Sequence, residues 1–239
     1  MKIFTFTKLG RTLLLAAVLV VGAVCWAGCG GGDDNNPADN NGNNSGSNNG
    51  GGNNTVNNCG KDGTADSCKT KTMPDGKMWM TENLNVETTD SWCYNDSNSY
   101  CNKYGRLYTW AAALTACPSG WHLPTRDEWG ALAKAAGGTG DYGVSGTAGK
   151  KLRSKSGWNN YGGKSGNGTD EFGFSALPGG DRFLPSGEFG HAGYNSDWWA
   201  AEGSGGYAYY RYTGYGFDEF GEYNYDVKSY GYSVRCVAD

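Results

Sequence analysis

Hydrophobic positions in this chain follow three successive patterns. From Leu13 to Val24 they form one continuous apolar run, preceded by Lys2, Lys8 and Arg11 and closed by Trp26-Ala27-Gly28-Cys29. A basic start, a short apolar stretch and small residues at its end predict a secretory signal peptide over residues 1–28. From Gly30 to Asn58 apolar residues almost vanish into Gly, Asn, Ser and Asp. Such a segment buries too little surface to offset its ordering entropy, so residues 29–58 read as a flexible tether. A coil of that composition spans on the order of 30 Å.

Beyond Cys59 the pattern becomes that of a folded domain, residues 59–239. Lys69 to Met73 and Lys77 to Met80 flank Pro74-Asp75-Gly76, a turn tripeptide between two short runs, which predicts a β-hairpin. Leu107, Trp110, Ala111 and Leu114 fall at helical spacing and predict a helix running to about Ala116, before Pro118. Thr125 and Glu128 form a capping-box pattern, with Asp127 adding negative charge at the positive end of the helix dipole. A second helix is therefore expected from Arg126, with Trp129, Leu132, Ala133 and Ala136 facing the core and Gly137-Gly138 ending it. After Gly140 the texture is glycine-rich loop between short aromatic runs: Phe172 to Leu177, Asp197 to Ala201, Tyr207 to Tyr212 and Tyr230 to Val237. These read as strands. In the last, Tyr232, Val234 and Cys236 share one face and Ser233 and Arg235 the other.

Composition narrows the partners. The formal net charge is −4, from 20 basic and 24 acidic residues, and the basic ones are scattered. That distribution argues against nucleic acid. Ala27-Gly28-Cys29 resembles the lipobox at which bacterial lipoproteins are cleaved and acylated, which makes Cys29 the expected lipidation site and the lipid anchor the membrane contact. Asp33-Asp34 close behind it resembles a surface-export signal. The expected location is the cell envelope, lipid-anchored, on the outer membrane and exposed at the surface. Six further cysteines in an exported chain predict disulfides. Locality pairs Cys59 with Cys68 and Cys93 with Cys101, which leaves Cys117 with Cys236. A zinc site is discounted, because the chain has no Cys-x-x-Cys pair and its histidines are His122 and His191.

Six blocks occur together in order. They are Trp79 to Asn85, Trp92 to Asp96, Tyr104 to Trp110, Cys117 to Trp129, Gly173 to Gly180 and Ser233 to Val237. As a set they resemble the Fibrobacter succinogenes major paralogous domain family, over about Lys69 to Asp239. Leu123-Pro124-Thr125-Arg126-Asp127-Glu128-Trp129 is also similar to the corresponding block of formylglycine-generating-enzyme-like domains. The resemblance implies an α+β, C-type-lectin-like fold: two helices packed on a small twisted antiparallel sheet, with long glycine- and aromatic-rich loops forming a variable site. Fold alone does not assign function.

The functional expectation is a non-catalytic ligand-binding or adhesion module with a surface glycan or protein ligand. It rests on the anchor, the tether and the 14% aromatic content. Trp158, Trp198, Trp199, Tyr207, Tyr209, Tyr210 and Tyr212 are the candidate ligand-binding residues, because they lie where loop and strand alternate. Trp79, Trp110, Trp121 and Trp129 read as core. No cofactor is expected. Asp218, Glu219, Glu222 and Asp226 offer oxygen donors of the kind calcium takes, but they read better as a solvated acidic loop. A structural envelope protein without a specific ligand is the alternative. An oxidase would need paired reactive cysteines late in the domain, and only Cys236 lies there; a glycosidase built on paired carboxylates is equally weak. No catalytic residue is assigned.

Overall fold

The computed structural model describes residues 56–239. The signal peptide, the Cys29 lipidation site and the tether up to residue 55 lie outside the described residues. The folded unit takes in Asn57, two residues ahead of the expected boundary. Its Nδ2 donates to the Asn83 carbonyl at 2.8 Å, and its own carbonyl accepts from Asn85 at 2.7 Å.

Pro74-Asp75-Gly76 turns the chain as expected. The hairpin pairs β1 (Thr70–Thr72) with β2 (Met78–Met80) antiparallel, and the amide of Gly76 donates to the Met73 carbonyl. Next come β3 (Ser91–Trp92), α1 (Asn98–Tyr104), β4 (Leu107–Tyr108), α2 (Trp110–Ala116), β5 (Trp121–His122) and α3 (Arg126–Ala135). The chain continues through α4 (Ala148–Leu152), β6 (Asn195–Ser204), β7 (Tyr207–Gly214), β8 (Gly221–Val227), β9 (Tyr232–Ser233) and β10 (Val237–Ala238). The result is a mixed α+β fold. A six-stranded sheet has the order β8-β7-β6-β9-β4-β3, and a four-stranded sheet the order β1-β2-β10-β5.

Helix α3 follows its local signals. Thr125 Oγ1 accepts from the amide of Glu128, the Glu128 carboxylate accepts from the amide of Thr125, and Trp129, Leu132, Ala133 and Ala136 are all fully buried. Gly137 takes a φ of 103°, which ends the helix without the penalty a side chain would incur.

Helix α2 corrects the expected register. Leu107 belongs to β4, paired with Ser233 and Trp92, so the helix begins only after Thr109, whose side chain accepts from the amide of Ala112. Its buried residues are Ala113 and Ala116, while Leu114 is exposed. Sheet pairing on both sides of β4 outweighs the helical spacing that begins at Leu107. The described residues hold four α-helices where two were expected, and β9 lies parallel to β6 through Trp198 and Ser233, so the sheet is not purely antiparallel. Phe172 to Leu177 forms no strand, only a bridge between Ala176 and Arg153.

All three cysteine pairs are joined as locality suggested, Cys59–Cys68, Cys93–Cys101 and Cys117–Cys236, with Cα separations of 4.1, 4.9 and 6.0 Å.

Two cores occupy the two sides of the central strands. Trp79, Trp129, Phe174, Trp198, Phe220 and Val237 belong to one; Met80, Leu84, Tyr108, Trp199, Tyr232, Val234 and Cys236 belong to the other. Neighbours in sequence therefore face opposite cores, as strand geometry requires. The final run alternates as expected, but its second face does not meet water. Ser233 and Arg235 are fully buried, and the Arg235 guanidinium lies 4.3 Å from the Phe174 ring. The run is also split, β9 serving the six-stranded sheet and β10 the four-stranded one.

Candidate functional site

The site grows from the hairpin of β6 and β7. Gly205-Gly206 links the Ser204–Tyr207 pair, and Gly205 has a φ of 56°, a backbone suited to a two-residue hairpin turn. The register sets Asp197 opposite Tyr212 and Trp199 opposite Tyr210, and on the other side of β7 it sets Tyr223 opposite Tyr210 and Gly221 opposite Tyr212. Directly paired side chains share a face, so Asp197, Trp199, Tyr210, Tyr212 and Tyr223 stand together. Trp198, Arg211 and Glu222 take the opposite face. Gly221 is required here. A Cβ on it would collide with the Tyr212 ring, so its bareness lets that ring lie across β8.

Rings cover this face in a graded row. Trp199 and Tyr232, 4.5 Å apart between centroids, form a buried floor. Tyr210 sits 4.8 Å from Tyr232, 6.0 Å from Tyr212 and 5.8 Å from Tyr223, and Phe217 lies 5.9 Å beyond Tyr212. Tyr210 and Tyr212 are half-buried, whereas Tyr223 is 51% and Phe217 37% exposed. The row continues through Tyr230 and Phe183, 5.4 Å apart, to His191 on the loop after the Asp181–Arg182 and Phe189–Gly190 ladder.

Carboxylates are set among the rings. Asp197 is buried and its Oδ2 has no hydrogen-bond partner among the described residues. Burial, followed by the charges of Asp181 and Asp226, holds it well above the usual carboxylate range. Asp226 accepts a short hydrogen bond from the Tyr232 hydroxyl. Burial and the charges of Asp197 and Asp226 raise the phenols of Tyr210 and Tyr232, so both remain neutral donors. Asp181 receives His191 Nδ1 at 2.7 Å, and burial lifts it above its ordinary range despite that partner. The surface therefore offers flat apolar faces beside phenol hydroxyls that can donate or accept, with the Asp197 and Asp181 carboxyls buried beneath them.

The expected ligand-binding residues divide sharply. Tyr210 and Tyr212 are brought together on this face. Trp158, Trp198 and Trp199 are buried core, at 5%, 0% and 0% exposure, and each indole N–H is committed internally: to Ser154 and Ala176, to Asn83, and to the Tyr108 carbonyl. They are corrected to framework residues: Trp198 and Trp199 because a strand covered on both faces buries both sides of its alternation, and Trp158 because its indole is held in a loop by Ser154 and Ala176. Tyr209 lies on the opposite face against the Arg126 guanidinium at 3.8 Å, and Tyr207 shares that face at the strand end. Phe217, Tyr223, Tyr230, Tyr232 and Asp197 also belong to this row, although none is among the expected ligand-binding residues. The period of two across Tyr210-Arg211-Tyr212 and Glu222-Tyr223 was the signal that could have grouped the tyrosines.

The acidic stretch is not a solvated loop throughout. Glu222 turns inward to Arg126 at 2.6 Å and Arg211 at 3.6 Å, Asp218 faces Arg153 at 3.6 Å, and Asp226 bonds Tyr232. These donors point to different partners, and no group of three or more metal-ligating side chains occurs among the described residues. His122 is a hydrogen-bonding residue, with Nε2 on Glu128 at 3.0 Å and Nδ1 on Asp239 at 2.7 Å.

The family description Fibrobacter succinogenes major domain matches residues 74–238. No curated protein and no solved structure matches the chain.

Proposed function

The chain belongs to the Fibrobacter succinogenes major domain family, and from that premise we propose that it is a non-catalytic recognition module of the cell envelope whose ligand is a glycan. The observation that carries this reading is the graded row of rings on the β6–β8 face, buried at Trp199 and Tyr232 and open at Tyr223 and Phe217. A sugar ring has an apolar face of C–H groups and a rim of hydroxyls. The first suits tyrosine and phenylalanine planes, and the second suits the phenols set among them. A buried floor holds the outer rings in place, so binding orders few side chains.

In this reading the fold is C-type-lectin-like. Its support is the closure of the unit by its two ends, β2 pairing with β10 through Trp79 and Val237, with the long loops between them. The reading also takes Cys29 as the lipid anchor and residues 29–58 as the tether that presents the domain at the outer surface.

The test is a glycan array probed with the full chain, followed by Tyr223→Ala and Phe217→Ala. Both side chains are exposed, so thermal stability should stay near wild type while binding weakens roughly tenfold for each. Absence of any glycan signal, or retention of full affinity in both variants, overturns the proposal. Capture of a protein from the cell surface that the same variants abolish would replace the glycan by a protein ligand.

A further inference from the structure

At the edge of the six-stranded sheet farthest from β8, beside β3 and α1, lies a hollow of about 420 Å³ lined by Lys61, Asn85, Glu87, Asn98, Asn102 and Arg106. Its polar groups are unevenly matched. Asn85 is 2% exposed; its Nδ2 donates to the carbonyls of Asn57 at 2.7 Å and Cys101 at 3.1 Å, but its Oδ1 is buried with no partner among the described residues. An amide oxygen left without a donor is costly, and in a folded protein it calls for a ligand or water to complete it.

Charge in the hollow is similarly unbalanced. The Arg106 guanidinium spends Nε and Nη2 on Ser91, at 3.0 Å to the hydroxyl and 3.1 Å to the carbonyl, while Nη1 rests only against the sulfurs of Cys93 and Cys101 at 3.7 and 3.9 Å. Lys61 Nζ donates to Asn102 Oδ1 at 3.2 Å. Against these two cations stands Glu87, 3.3 Å from Arg106 but with its side chain 82% exposed. A second hollow of about 290 Å³ adjoins the first through Glu87, Asn98 and Arg106, and adds the Trp92 ring and the Asp96 carboxylate, so the cationic end of the groove is the Lys61 end.

We propose that this groove is a binding site for an acidic sugar, a pyranose carrying a carboxylate. The carboxylate is taken by Lys61 and by Arg106 Nη1, which exchanges its weak sulfur contacts for a charged acceptor, a hydroxyl donates to Asn85 Oδ1, and further hydroxyls meet the side-chain amides of Asn98 and Asn102, which both donate and accept. The volume holds one to two sugar rings, within the usual range for small-ligand sites. Trp92 extends the groove for a neighbouring ring. The site does not rest on the tyrosine face, which lies toward the opposite edge of the same sheet.

Isothermal titration of the full chain, disulfides intact, with D-glucuronate, D-glucose and acetate tests it. Glucuronate should bind saturably and at least roughly tenfold more tightly than either comparison, because glucose lacks the charge and acetate the hydroxyls. Lys61→Met alters an exposed side chain and should weaken glucuronate binding roughly tenfold without lowering the melting temperature. Arg106→Gln should do the same to affinity. Equal binding of glucose or of acetate, no saturable heat with glucuronate, or full affinity in Lys61→Met would overturn the proposal.

Discussion

Removing the Cys117–Cys236 disulfide should destabilise the domain far more than removing Cys93–Cys101, and the structure allows the difference to be calculated with most other effects cancelled. Both substitutions exchange a cystine for two alanines: Cys236 is 0% exposed and Cys117 half-buried, and Cys93 and Cys101 are 7% and 3% exposed. The packing losses are therefore similar. The loops closed are not, since the sequence separations are 119 and 8. Loop-closure entropy predicts about 5 kcal/mol for the long loop and about 2.5 kcal/mol for the short one. Their difference, from the logarithm of the loop-length ratio, is about 2.4 kcal/mol. With a urea dependence of about 2 kcal/mol per molar, the two midpoints should lie roughly 1 M apart. The assay is equilibrium urea unfolding of both double-alanine variants beside wild type, followed by tryptophan fluorescence. Midpoints that coincide, or a lower midpoint for the Cys93–Cys101 variant, would refute the entropic reasoning and place the stabilisation in local packing instead.

Two further perturbations test the interior. Glu128 anchors the start of α3 and meets Lys77 at 2.9 Å and His122 at 3.0 Å; burial opposes its charge, but the Thr125 amide, Lys77 and His122 outweigh it and hold the carboxyl down to about 2. His122 is raised, the opposing desolvation being outweighed by Asp239 and Glu128. A depressed carboxyl stabilises above its unfolded value and loses that contribution as pH falls toward 2, whereas a raised histidine stabilises below its unfolded value and loses it as pH climbs through the folded one. Stability should therefore be greatest between the ordinary values of the two groups, 4.5 and 6.5. Glu128→Gln should flatten both limbs and cost about 2 kcal/mol near pH 6 after discounting for the exposed lysine and histidine, read from melting curves across pH; an unchanged pH profile in the variant would disprove the assignment.

Asn83 is the second test. Its Oδ1 accepts from Trp198 Nε1 at 3.0 Å and from Arg235 Nε and Nη2 at 3.1 and 2.8 Å, and burial has already pushed the Arg235 guanidinium down to about 9. Asn83→Leu takes the acceptor from Nε and Nη2 and leaves that buried cation only the Phe174 and Met80 carbonyls on Nη1, so it should cost about 3–5 kcal/mol in urea unfolding, while a loss under about 1 kcal/mol would show that those carbonyls suffice.

What the sequence determined by itself were the features whose physics acts within a few residues. Pro74-Asp75-Gly76 sets a turn because its backbone preferences are local. Thr125 and Glu128 start α3 because each satisfies an amide three residues away. The cysteine pairs followed from separation, since a short loop is the less costly one to close. Two of the five tyrosines in the row were also legible, as Tyr210 and Tyr212 sit two apart on one strand.

Tertiary structure alone decided which face met water. Alternation separates Trp198 from Trp199 and Ser233 from Val234, but it equates one side with solvent only when that side is uncovered. Here both sides of the central strands carry a core, so Trp198 and Trp199 are framework and Arg235 lies buried against Phe174 and Trp198 of the first core. Leu107 likewise carries helical spacing yet joins β4, because partners distant in sequence, Ser233 above all, supply its hydrogen bonds. Burial and pairing of this kind belong to contacts between remote segments, and no window of neighbouring residues contains them.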